Sequence, residues 1–141
     1  MWLCVIKSIV PSKVELRIKA YVNPSESSEK VFQAIKNVLE KCSLELKYGS
    51  IIIGKSIESD SINIIHDQVR SKAAMGVLRR VLSQNRIGDT SWFLLNKQAA
   101  SAHSVVVIEN EQESPLGPIK IMIECNELDA VIDWLAPAPV V

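Results

Sequence analysis

The spacing of apolar residues predicts an α+β fold, with a mixed or mainly antiparallel sheet packed against helices. Residues 13–22 alternate apolar and polar side chains, which is typical of a strand with one face in water. Three other segments repeat apolar residues at intervals of three or four, and this period indicates amphipathic helices. Because the strands occur in hairpin-like groups between those helices, most of their pairing is expected to be antiparallel.

Three helices are predicted. The first begins either at Pro24, with Asn23 as its N-cap and Glu26 closing a capping box, or slightly later with Ser27 as its N-cap, and it continues to about residue 42. The second is long, from residue 60 to about residue 84, and Gly76 marks a place inside it for a bend or break. The third, over 126–135, is capped by Asn126.

Five further strands are predicted, and two of them are apolar on both faces. Their ranges are 44–47, 50–57, 89–95, 104–109 and 119–123. The two-sided apolar segments are 51–53 and 105–107. Because three helices cannot cover both faces of such a sheet, the uncovered face is expected to meet a second copy of the chain or to fold around itself. The first alternative predicts a homodimer or a higher oligomer.

The length of 141 residues fits one domain, which needs neither metal nor disulfide to fold. The predicted division is an N-terminal extension or extra strand over 1–12, one α+β domain over 13–137 and a tail over 138–141. The apolar N-terminus is too short to cross a bilayer, so no membrane partner is expected. Three widely separated cysteines favour a reducing cytoplasm over a disulfide framework or a zinc site.

No pattern in the chain indicates a catalytic centre. The five glycines build neither a phosphate loop nor a dinucleotide-binding turn, so no cofactor is predicted. His66 and His103 are the two histidines, and either would serve as a general base only beside a nucleophile. Because neither belongs to a recognisable motif, a solvated or structural role is favoured for both. The prediction is a protein with no catalytic residue, no cofactor and no bound metal.

Basic side chains on the second predicted helix form the most distinctive polar pattern. The 16 basic residues only balance the 16 acidic ones, which argues against strong, indiscriminate phosphate binding. Lys72, Arg79 and Arg86 nevertheless recur every seven residues and share one face if the helix continues that far, and Arg80 adjoins them. These four residues, the helix cations, are interpreted either as a solvated surface or as a ridge that binds nucleic-acid phosphates.

A second polar cluster follows the strand that contains Trp92. Asn96, Lys97 and Gln98 place two amides and an amine where that strand ends. Such groups bind phosphates, 2′-hydroxyls or base edges in RNA complexes. They also bind their own backbone in turns, and the sequence leaves both interpretations open.

Three segments resemble the signature stretches of an archaeal family that is classed as RNA-binding and has no established activity. They are residues 95–100 (LNKQAA), 113–119 (ESPLGPI) and 132–137 (IDWLAP), and the segment 23–26 also fits. The resemblance covers roughly residues 13–137. It implies a fold similar to that of large-subunit ribosomal protein five, in which an antiparallel sheet packs with helices.

The resemblance and the residue patterns together predict a non-enzymatic module that binds RNA or associates with the ribosome. The helix cations Lys72, Arg79, Arg80 and Arg86 would contact phosphates. Asn96, Lys97 and Gln98 would add polar contacts. The alternative is a structural or regulatory homo-oligomer without nucleic-acid binding, which the neutral charge and the two-sided apolar strands favour.

Overall fold

A computed structural model describes residues 14–138, so the predicted extension over 1–12 and most of the predicted tail lie outside the described residues. The chain forms six strands and five α-helices in that range. In chain order they are β1 Glu15–Tyr21, α1 Ser28–Val38, β2 Ser43–Lys47, β3 Ile51–Ser56, α2 Asn63–Ser71, α3 Met75–Asn85, β4 Thr90–Asn96, α4 Lys97–Ser101, β5 Val107–Ile108, β6 Pro118–Glu124 and α5 Leu128–Leu135. Short 3-10 turns lie at Ser59–Ile62 and Glu111–Glu113.

The six strands form one antiparallel sheet in the order β2-β3-β1-β6-β4-β5. The predicted α+β class with an antiparallel sheet is confirmed. β1 and β6 are the two middle strands, and both show the predicted alternation. In β1, for example, Leu16 and Ile18 are buried whereas Arg17 and Lys19 point to solvent. One face of the sheet is therefore apolar and the other is polar.

The apolar face of the sheet and the buried sides of the helices form one hydrophobic cluster. Within this cluster α1 packs on α4, and α3 packs on β4. Apolar residues of the predicted strands and helices are buried together in this cluster, among them Val14, Leu16, Ile18, Ile35, Val69, Ile121 and Ile132. No helix within residues 14–138 is long and apolar enough to cross a membrane.

The prediction of one long helix over 60–84 is wrong, because α2 ends at Ser71 and α3 begins at Met75. Ala73 has a left-handed backbone with a φ of 55°. Its N–H donates to the carbonyl of Arg70, and the N–H of Ala74 donates to the carbonyl of Val69. These two bonds are the Schellman arrangement that ends helices, with alanine where glycine is usual. The break therefore precedes Gly76, the residue that suggested it.

The first predicted helix and the predicted strand over 104–109 also differ from the structure. Helix α1 begins after Ser27, the later of the two predicted caps, and ends at Val38 rather than near residue 42. The predicted strand over 104–109 is reduced to two residues. The physical reason is competition: the amide oxygen of Gln68 accepts the Val105 N–H at 2.7 Å, and the Lys72 amine donates to the Val105 carbonyl at 3.1 Å. Side chains from the α2 region thus take the bonds that a longer strand would use.

Candidate nucleic-acid interface

The helix cations do not share one helical face, because the break at Ala73 separates Lys72 from α3. Lys72 follows the last residue of α2, and its amine donates to the Ser104 hydroxyl as well as to the Val105 carbonyl. The predicted seven-residue ridge therefore loses the continuous helix on which it depended.

The three arginines of the helix cations are each paired within the protein. Arg79 donates to the Asp133 carboxylate at 2.8 Å and to the Ala136 carbonyl at 3.0 Å, which ties α3 to the end of α5. The other two form ion pairs as well, Arg80 with Glu109 and Arg86 with Asp129. A phosphate at these positions would compete with a carboxylate in each case. The contact of the helix cations with RNA stays a prediction.

Lys97 is only 2% exposed, and its amine is surrounded by protein oxygens. It donates to the Tyr21 carbonyl at 2.7 Å, to the Leu116 carbonyl at 2.7 Å and to the Glu26 carboxylate at 3.0 Å. An ammonium group has three N–H donors, so this cage satisfies all of them. Lys97 therefore joins the end of β1 to the segment before β6.

The two amides beside Lys97 also contact the protein itself. The Asn96 side chain accepts the Ala99 N–H at 2.9 Å, which caps α4, and donates to the Glu113 carbonyl at 3.2 Å. The amide oxygen of Gln98 lies 3.3 Å from the Ser114 hydroxyl oxygen, whose proton goes to the nearer Gly117 carbonyl. The two Asn96 bonds match the interpretation in which side chains of this cluster bind backbone groups of the protein. Their contact with RNA stays a prediction.

The polar face of the sheet, which we call the open sheet face, carries a different set of cations. Strand alternation and register place charged and aromatic side chains there from five of the six strands. The cations are Arg17, Lys19, Lys47, Lys55 and Lys120, the acids are Glu15, Glu45 and Glu124, and the aromatic residues are Tyr21 and Trp92. Cations thus outnumber acids on this face, although the whole chain is neutral.

Lys19 and Lys120 occupy directly opposed positions on the two middle strands. Like charges at such positions destabilise a sheet. Neither amine forms an ion pair with any residue from 14 to 138. Each lies over an aromatic ring instead: the Lys19 amine is 5.2 Å from the centre of the Tyr21 ring, and the Lys120 amine is 4.6 Å from that of Trp92. The centre of the open sheet face therefore holds two cations without anionic partners.

Glu15 neutralises part of the open sheet face near the start of β1. Its carboxylate pairs with Lys55 at 2.8 Å and with Arg17 at 3.4 Å. The hydrogen bond from Lys55, aided by the charge of Arg17, lowers the pKa of Glu15 below its ordinary value. Positive charge without a partner is consequently concentrated toward the other end of β1, around Lys19.

Sequence patterns place the β1 residues of this face, but they do not place the residues that β4 and β6 contribute to it. The alternation of β1 places Arg17, Lys19 and Tyr21 on one face of a strand, and the sequence shows this directly. Lys120 and Trp92 join them only because β6 pairs with β1 and β4 pairs with β6. No local pattern encodes that strand order.

A family model described as RNA binding matches residues 15–125. Relatives named UPF0201 protein include one from Sulfurisphaera tokodaii, 38% identical over 123 residues that make up 85% of each chain. The chain belongs to the UPF0201 family. Another UPF0201 protein, from Aeropyrum pernix, is 35% identical over 133 residues, which cover 92% of this chain and 89% of that one. The family resemblance of the signature stretches is thus confirmed.

Solved UPF0201 structures have the same fold. The crystal structure of the UPF0201 protein from Methanococcus jannaschii has a TM-score of 0.76 and 28% identity, over 89% of this chain and 95% of that one. A second, described as an uncharacterized UPF0201 protein, has a TM-score of 0.77 and 24% identity, over 89% and 99%. The likeness to ribosomal protein five stays an expectation.

Proposed function

We propose that this UPF0201 chain is a non-enzymatic, cytoplasmic RNA-binding module that holds RNA on its open sheet face. The observation that carries the proposal is the opposed pair of Lys19 and Lys120 at the centre of the sheet, which has no carboxylate partner among residues 14–138. An arrangement that costs stability in the free protein is explained if phosphates neutralise it in a complex.

The open sheet face is a better RNA surface than the helix cations for two reasons. Arg79, Arg80 and Arg86 already pair with carboxylates, so a phosphate gains little by replacing those partners. The open sheet face also combines cations with the rings of Tyr21 and Trp92. Sheets with such rings bind single-stranded RNA by stacking bases while basic side chains hold the backbone. The balanced charge of the whole chain is compatible with RNA binding by one local basic patch.

The salt dependence of RNA affinity tests the proposal. A sheet variant replaces Arg17, Lys19 and Lys120 with glutamine, which keeps polarity and removes three charges. If Lys19 and Lys120 each neutralise one phosphate of a single strand, and Arg17 contributes less because it also pairs with Glu15, the slope of log K against log salt should flatten by about 1.4–2 units. The matched helix variant replaces Lys72, Arg79 and Arg86 with glutamine, and it should leave the slope unchanged.

The two variants separate the candidate surfaces. If only the helix variant flattens the salt slope, the RNA binds at the helix cations instead. Equal salt slopes for the sheet variant and the wild-type protein would exclude the open sheet face as the RNA-binding surface. Circular dichroism shows whether each variant remains folded, and absence of RNA binding by the wild-type protein would refute the function itself. Sequencing the RNA that co-purifies with the native protein would identify its target, ribosomal or other.

A homo-oligomer without nucleic-acid binding is the second candidate function. The observation that favours it is apolar exposure on the open sheet face, where Tyr21 is 49% exposed and Ile53 is 40% exposed. A second copy of the chain would cover these side chains. Light scattering of the protein with and without a single-stranded RNA distinguishes this candidate from RNA binding.

A further inference from the structure

A cleft of about 540 Å³ lies at the end of the open sheet face where β1 ends and β6 begins. Lys19, Tyr21 and Lys120 line one side, and Leu94 is also part of the lining. The other lining residues belong to the segment 111–118, which we call the wall. The volume lies within the range that proteins use to hold small ligands. The cleft therefore places an exposed ring and both lysines, neither of which pairs with an acid in the described part of the chain, around one space.

We propose that this cleft admits one unpaired nucleotide of a single-stranded RNA. Its phosphate lies between Lys19 and Lys120, and its base stacks on the Tyr21 ring. This inference rests on the proposed RNA-binding function and names the form of RNA and the residues that receive it. The two amines release the tyrosine and tryptophan rings to reach the phosphate, and the base takes the place of the Lys19 amine on Tyr21.

The wall is fixed in place before any ligand binds. The Leu116 carbonyl accepts both the Lys97 amine and the Asn23 amide, each at 2.7 Å. The buried Ser114 hydroxyl donates to the Gly117 carbonyl at 2.7 Å. A preformed wall lowers the ordering cost of binding.

Two residues of the predicted polar cluster hold the wall in place, although neither of them lines the cleft. Lys97 binds it at Leu116, and Asn96 binds it at Glu113. Lys97 also holds the Tyr21 carbonyl, so one amine fixes both the wall and the end of β1 that carries the ring. We assign Asn96 and Lys97 as positioning residues of the cleft.

The chemistry of the cleft suits an unpaired nucleotide. The side chain of Gln112 on the wall offers one donor group and one acceptor, the pair of groups that reads base edges. The Glu111 carboxylate on the same wall repels a phosphate, which favours the phosphate at the lysine side and the base toward the wall. A duplex keeps its bases stacked inside, so it cannot place one in this cleft.

Fluorescence anisotropy with one labelled RNA, single-stranded or annealed to its complement, tests the inference. The wild-type protein should prefer the single strand. Tyr21→Leu should weaken single-strand binding about five-fold or more, because it removes a stacking partner, and should leave the salt slope unchanged. Tyr48→Leu is the matched control, since Tyr48 is 91% exposed at the β2–β3 turn and should have no effect.

Replacement of both Lys19 and Lys120 with glutamine should flatten the salt slope by about 1.4 units, because two phosphate contacts are lost. Ultraviolet crosslinking of the unmodified protein should place RNA on peptides that contain Tyr21 or the wall. Three outcomes would refute nucleotide binding in the cleft while leaving RNA binding intact. They are equal binding of duplex and single strand, a Tyr21→Leu affinity equal to that of Tyr48→Leu, and crosslinks confined to other surfaces. Failure of the wild-type protein to bind any RNA would refute the proposed function as well.

Discussion

At the residue scale, the burial of Lys97 shows what sequence patterns do not reveal. Lysine is almost never fully buried unless it is paired, so a lysine in a polar run suggested a surface role. The structure buries it because three oxygens from distant parts of the chain, on Tyr21, Glu26 and Leu116, meet its three N–H donors. None of those oxygens adjoins Lys97 in sequence, so only the fold brings them together.

Lys97→Met should destabilise the protein by about 3–5 kcal/mol, because it removes the cationic partner of the Glu26 carboxylate and one donor from each of two carbonyls in a largely buried site. Urea denaturation monitored by circular dichroism measures the loss. Lys30→Met is the control, since Lys30 is exposed on α1 and a surface change there should stay within about 0.5 kcal/mol. Similar midpoints for the two variants would show that the Lys97 cage contributes little.

Glu26 should make stability depend on pH. Burial raises the pKa of Glu26, but hydrogen bonds from the Asn23 backbone, the Lys97 amine and the Asn23 amide outweigh burial, and the net pKa is lowered. A carboxyl whose folded pKa is depressed contributes stability above its unfolded pKa, about 4.3, and that contribution is lost as the pH falls through the folded value.

The unfolding free energy of the wild-type protein should therefore fall below about pH 4.3 more steeply than that of Glu26→Gln, which has no such proton to bind. Urea midpoints at a series of pH values measure both curves. Because other carboxyls titrate in both proteins, only the difference between the curves reports Glu26. A constant difference from neutral to acid pH would contradict this account.

At the scale of elements, alternation and helical spacing predicted β1, β6, α5 and the core, whereas the division between α2 and α3 was missed. The apolar stripe continues across the break, and the left-handed position is held by Ala73 rather than by the glycine that usually signals it. The short β5 was also missed, because Gln68 and Lys72 bind the Val105 backbone from another element. Local patterns fail where a distant side chain or an unfavourable backbone decides the outcome.

Ala73→Gly should stabilise the protein by about 0.5–1 kcal/mol. A left-handed backbone costs an alanine about 1–2 kcal/mol, and the greater freedom of glycine in the unfolded chain offsets only part of that gain. Thermal denaturation measures the change as a higher Tm. Ala102→Gly is the control: Ala102 follows α4 with a φ of −98°, so glycine relieves no strain there and should lower the Tm. A lower Tm for Ala73→Gly would contradict the strain at this break.

At the scale of the whole molecule, the balanced charge of the chain conceals an uneven distribution. The arginines of the helix cations are paired with carboxylates, while Lys19 and Lys120 at the centre of the open sheet face pair with none between residues 14 and 138. The spacing of basic residues therefore pointed to the helix, where those residues are close in sequence. The strand order β3-β1-β6-β4 assembles the other group from residues about a hundred positions apart. The fold class was predictable from the sequence, but this surface required the pairing of β1 with β6.

The same distribution bears on the predicted oligomer. A two-fold dimer that buried the open sheet face would bring the central Lys19 and Lys120 of one copy against those of the other, which is unfavourable. A stable contact also needs on the order of 1,000 Å² of buried surface. We therefore expect any self-association to use a different surface, such as the exposed edge strand β2.

Light scattering at micromolar concentration should give the same mass for the wild-type protein and for the variant with Arg17, Lys19 and Lys120 replaced by glutamine. If the open sheet face were the contact between copies, loss of six like charges across the dimer would strengthen association and raise the mass at low concentration. The second measurement is the mass of the wild-type protein after a single-stranded RNA is added. RNA that occupies the open sheet face should leave an oligomer formed elsewhere intact, whereas RNA that competes with a second copy would dissociate it. Dissociation by RNA, together with a higher mass for the variant, would place the oligomer contact on the open sheet face.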